Sequence, residues 1–149
     1  MWFGVALFFG AVVAPAAFGV LRAHGLPNAG ELAGGIVTRS LSVLNVAGFL
    51  IALLLLVTLF IVRRGGVSFV IELICLVVIA VATSVGHWII AARMRALRAA
   101  MVVPIDQVAA DDARRIAFDH LHGYSVNALG LAMIAALVAI VLMARHLRQ

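Results

Sequence analysis

The stretch "LSVLNVAGFLIALLLLVTLFIVRRGGVSFVIELICLVVIAVATSVGHWIIAA", residues 41–92, decides the fold. It contains two apolar runs, Leu41 to Val62 and Val67 to Ala92, joined by Arg63-Arg64-Gly65-Gly66. About 20 apolar residues in a helix cross the roughly 30 Å hydrocarbon core of a bilayer, so each run is long enough for one span. The glycines tolerate positive φ and can turn the chain tightly, and Ser68 is placed to cap the helix that follows. The two runs therefore read as antiparallel neighbours in a membrane.

Working outward, Met1 to Leu21 and Tyr124 to Ala144 supply two further runs of spanning length. The 66% hydrophobic and 11% charged content, with a mean hydropathy of +1.22, lies far from that of a soluble protein. Little of the 149-residue chain is left for a soluble domain, so it reads as a single integral membrane domain. Ala14-Pro15-Ala16 resembles a signal cleavage site, but the basic segment that should precede it is missing, which makes the first run a retained helix. The helix faces look like lipid-phase packing surfaces. Ala6, Gly10 and Ala14 recur at every fourth residue, as do Ala128, Ala132 and Ala136, which allows close helix approach.

The connections extend this picture. Gly25, Pro27 and Gly30 stop the first helix, and Asn28 can cap a second that begins near Glu31. In "RMRALRAAM", residues 93–101, strong helix formers carry the third helix past the headgroups until Pro104. The fourth restarts near Asp106, with Asp111 and Asp112 in its early turns, where carboxylates suit the helix dipole. These acids are expected to face Arg93, Arg95 and Arg98 in a solvated hairpin of loose pairs, each worth about 0 to 1 kcal/mol. The predicted architecture is an all-α, up-down-up-down four-helix transmembrane bundle, with helices three and four extending beyond the membrane.

All 11 basic residues are arginine and the net charge is +5, which in such a protein points to lipid headgroups, not to nucleic acid. The first and third loops with their flanks hold seven arginines against four elsewhere, which places the termini outside a cell membrane crossed several times. Cys75 lies in a span, is the single cysteine, and reads as core packing. Glu72, about one turn inside the third span, reads as a carboxylate snorkelling to the interface, with a proton relay as the alternative for an intramembrane carboxylate.

Up-down topology gathers most polar residues at one end of the bundle: Arg39, Asn45, His87, Asp119, His120, His122, Ser125 and Asn127. Arg115, Asp119, His122 and Ser125 follow at spacings of four, three and three and so form one stripe, while His120 and Asn127 lie on another face. A carboxylate on such a stripe can orient and tune an imidazole for proton transfer, metal ligation or anion binding. The plainer reading is a hydrogen-bonded cap at the water interface; if the stripe is one inward-facing network, His122 is expected to be buried among helices two, three and four and bonded to a polar neighbour. Asn45 reads most simply as an interhelical hydrogen-bonding residue. His87 beside Trp88 reads as an interfacial pair. Facing His120 or His122, it could instead ligate a haem b or a transition metal, although no local ligand spacing supports this.

The chain resembles the transmembrane protein 205-like domain family, small four-helix membrane proteins of unestablished activity. The resemblance rests on His122-Gly123-Tyr124-Ser125 with Asn127, on Trp88 followed by "RMRALRAAM", and on Phe18 and Leu21 ahead of Leu26-Pro27. It departs from that family in the residues separating Leu21 from Leu26-Pro27 and in Ala92, where members often have proline. It implies His122, Gly123 and Ser125 as signature residues and no catalytic role. Gly123 would let another helix approach, bringing partners to His122 and Ser125.

The expected function is a non-enzymatic membrane protein without cofactor that binds or passes a small polar solute or ion at the polar end of its bundle. The alternatives are a haem b or metal-binding subunit using His87 with His120 or His122, and a structural subunit. Besides the lipid bilayer, the expected partners are further copies of the chain or a larger membrane complex.

Overall fold

The computed structural model describes residues 1–62 and 66–146, the last of these by its backbone alone. Four helices carry the chain: α1 (Trp2–Ala23), α2 (Ala29–Val62), α3 (Val67–Ala99) and α4 (Ala113–His146). Each contains a window of mean hydropathy between 2.2 and 2.7, enough to cross a membrane. Neighbours in sequence pack side by side, and the first turns of α1 also touch α4, which closes the bundle. α3 is its most buried helix.

The bundle is small-sided within and greasy without. Its core joins Ala52 and Leu59 of α2, Cys75, Leu76, Ile79 and Ala80 of α3, and Ala135, Ala136 and Ala139 of α4. Leu54, Ile61, Ile74 and Ile134 instead point outward, 56–74% exposed, as a lipid-facing belt requires. This is a multi-pass integral membrane protein of the all-α class.

Alanine spacing on α4 marks a real contact, since Ala132 and Ala136 are buried. On α1 it does not. Ala6 is buried, but Gly10 is exposed and a Cβ there would meet nothing within 4 Å. The reason is a π-helical segment, Phe9–Val13, in which the Ala14 N–H reaches back to the Phe9 carbonyl. Pro15 follows at once; its ring would crowd the carbonyl four residues before it, and the wider turn relieves that clash while rotating the face. What holds α1 is Trp2, whose indole N–H donates to the Leu44 carbonyl at 2.9 Å. Its ring lies across Gly48, where a Cβ would sit 2.8 Å from it.

At the helix ends, Gly25 with φ +64 closes α1, and its N–H bonds the Arg22 carbonyl. α2 begins at Ala29, two residues ahead of expectation, and its 34 residues extend about 50 Å, well beyond the hydrocarbon. The turn expected at Arg63, Arg64 and Gly65 lies outside the described residues. Gly66, with φ +99, precedes α3, so Ser68 falls inside the helix and makes no capping bond.

α4 begins at Ala113, later than expected, because a single 3-10 turn, Ile105–Gln107, follows Pro104 and the chain stays irregular up to Asp112. Asp112 then caps the helix by accepting the Arg114 N–H at 2.7 Å. The expected arginine–aspartate hairpin gives way to a linker laced by guanidiniums onto backbone carbonyls. Arg98 donates to Met101 and Val103, Arg114 to Ala100, and Arg115 to Val108. The carboxylate that pairs with Arg98 is Glu31 of α2, at 2.6 Å.

Candidate functional site

The ends of all four helices that meet the first loop and the linker enclose a cavity of about 210 Å³. α2 contributes Ser42 and Asn45, α3 contributes Gly86, α4 contributes Asp119, His122 and Ser125, and α1 closes it with Phe18 and Arg22. The predicted stripe thus has three of its four members on one wall. Arg115, the fourth, is spent on the linker.

Asn45 is the centre of the site. It is only 5% exposed, and it makes no hydrogen bond to any described residue. Its amide lies against Gly86, where a Cβ would come within 3.0 Å of Nδ2. No interhelical bond of the expected kind forms, because the nearest surface of α3 at that point is a bare glycine. Ser125, 8% exposed on the facing wall, likewise has no hydrogen-bond partner among the described residues.

Gly86 reaches this position through a second π-helical segment, Val85–Ile90, in which the Ala91 N–H bonds the Gly86 carbonyl. Just before it, the buried Thr83 hydroxyl donates to the Ile79 carbonyl at 2.7 Å, a contact that bends helices. Such bulges are frequent at functional sites. The segment also carries His87, whose Nδ1 lies 3.1 Å from Ser42 Oγ and whose ring meets Trp88 edge to face.

The histidines do not share a pocket. His87 turns to α2 and a groove between α2 and α3; His122 lines the cavity; His120 lies in a shallow hollow on the outer side of α4 with Gly123 and Asn127. Among the described residues no group of three or more histidine, cysteine, aspartate or glutamate side chains could hold a metal ion. His122 is exposed at its place on the wall and makes no hydrogen bond to a described residue, contrary to the buried network expected of it. It stands on the wall one turn from the buried Ser125, on a part of α4 open to the surroundings. Gly123 has nothing within 4 Å of its Cβ position, so it admits no neighbouring helix. Arg39 is exposed on the groove side of α2. Glu72 is buried in α3, 3% exposed.

Two charged groups of the mouth escaped the sequence reading. Arg22 lies in the last turn of α1, and Asp106 lays its carboxylate on the first turn of α2, where a Cβ at Gly30 would collide with it. Gly30 beside a helix start was the available signal, since a carboxylate is favoured there and needs room. Outside the spans, Arg114 bonds to Asp112 and holds its carboxyl down at about 2.

A match to a known family covers residues 1–102, which is α1, α2, α3 and the start of the linker. The chain belongs to the DUF4149 family, a domain of unknown function. The DUF4149 match takes in Asn45, Gly86 and His87 but stops short of the His122 to Ser125 element on α4. No curated protein and no solved structure matches.

Proposed function

We propose that this DUF4149 member is a non-enzymatic protein of the cell membrane that binds a small polar solute or ion in the cavity at the polar end of its bundle. One observation carries the reading. Asn45 and Ser125, both more than nine-tenths buried and both without a partner among the described residues, line the same 210 Å³ space. Polar side chains that open into an interior space with no protein partner are available to a polar guest that enters it. Arg22 and Asp119 at the mouth offer either sign of charge to an entering ion. The proposed kinship with the transmembrane protein 205-like family gives His122, Gly123 and Ser125 as signature residues without a catalytic role; of these, His122 and Ser125 line the cavity.

Thiol labelling tests the reading. Ser125→Cys, in a chain whose Cys75 is replaced by alanine, should react with a small water-soluble thiol reagent. Chloride, ammonium, inorganic phosphate and glycerol are then screened for protection, and at least one solute should slow the reaction in a saturable way. An unreactive thiol in a folded protein, or equal reactivity with every solute, would contradict the proposal.

A further inference from the structure

A second hollow adjoins the cavity and shares Gly34, Thr38, Ser42, Met94 and Phe118 with it. It is a groove of about 1030 Å³ between α2 and α3, open to the surroundings at the headgroup level. It exists because α2 presents Gly34 and Gly35 where a side chain would fill it; a Cβ at either meets nothing within 4 Å. Its lining is apolar at Val43, Met94 and Phe118. Val43 is 67% exposed and continues downward into the lipid-facing surface of α2.

Charge completes the shape. Arg39 and Arg95 line the groove, both exposed and neither bonded to any described residue, while Arg98 is paired with Glu31. Two guanidiniums therefore remain uncompensated above an apolar slot. Arg39 stands just before the run that begins at Leu41 and Arg95 just after the one that ends at Ala92, which is where phosphates of the leaflet lie. A guanidinium presents its N–H groups in a fork that matches phosphate oxygens. A free anion would use the arginines and leave the slot empty; a zwitterionic lipid would bring its own cation to them.

We infer that this groove binds one anionic glycerophospholipid from the surrounding leaflet, its phosphate between Arg39 and Arg95 and an acyl chain along Val43. This site borders the solute cavity along Ser42, Met94 and Phe118, but Arg39, Val43 and Arg95 belong to the groove alone and Asn45 and Ser125 to the cavity alone.

Native mass spectrometry of the full chain released from detergent provides the test, with phosphatidylglycerol, phosphatidylcholine and inorganic phosphate as probes. Phosphatidylglycerol should be retained well above the other two. The paired change Arg39→Gln with Arg95→Gln should weaken its retention by about thirtyfold, taking the usual gain per arginine at a charged surface. The pair Arg93→Gln with Arg145→Gln, of equal charge but outside the groove, should leave it unchanged. Gly35→Leu keeps every charge, enters open space and should also expel the lipid, so the inference stays testable if the arginine pair fails to fold. Equal retention of the two lipids, phosphate binding as strong as phosphatidylglycerol, or equal losses from both arginine pairs would overturn it.

Discussion

Asn45 shows what a residue can and cannot reveal in advance. A lone asparagine in a membrane span reads as a bond between helices, yet here its amide borders a cavity and a glycine. Replacement by the similarly shaped leucine should therefore leave thermal stability in detergent within about 1 kcal/mol of the parent, since no protein hydrogen bond is lost. A loss of about 2 kcal/mol or more would make the amide structural. Asp112 gives a prediction of opposite character. Its bonds to Arg114 depress its pKa from 3.8 to about 2, so the stability they supply is complete above about 4 and lost as the pH falls through 2. Carboxyl titration followed by NMR should show the low midpoint, and Arg114→Ala should return it toward 3.8. Some partners were legible. Ser42 and His87 stand equally far in sequence from the connection between α2 and α3, as do Glu31 and Arg98, so antiparallel neighbours already pair them.

Elements were predicted best where periodicity alone builds them. The four apolar runs became four helices, but both π-helical segments went unseen, because a widened turn changes which residues share a face without changing hydropathy. Pro15 was the one advance sign on α1, and Thr83 with Gly86 the sign on α3. The chain after Pro104 stays irregular where the sequence predicts the fourth helix to restart, because arginines of the flanking helices bond to carbonyls that a continuous helix would close. Two predictions belong to this scale. Gly48→Ala drives a methyl into the rigid Trp2 ring and should cost about 1 to 3 kcal/mol in thermal unfolding. Adding Trp2→Ala should make the cost of the glycine change much smaller, since the clash is then gone. Arg98→Ala should raise hydrogen exchange at residues 101–108 well above that in Arg93→Ala, because Arg98 ties the linker to α2. Equal exchange in the two variants would show that the clamp does not order the linker.

For the whole molecule, an even number of spans puts the two ends of the chain on one face and the cavity on the other. Thiol probes at Gly66 and Arg145 should label from the same side, and one at the fully exposed Val102 from the opposite side. The lipid-facing belt and the small-sided core were implicit in the composition. A cavity was not, because it depends on how α1 closes over Asn45 and on a glycine brought there by a widened turn. The belief that polar residues at one bundle end form a binding site is thus a claim about an interior space and its contents. A structure of the full chain in lipid nanodiscs, at a resolution that shows ordered small molecules, addresses it most directly. The account predicts an ordered solute or ion within hydrogen-bonding distance of both Asn45 and Ser125. A cavity collapsed so that these two side chains bond to the protein, or filled by an apolar side chain, would contradict it.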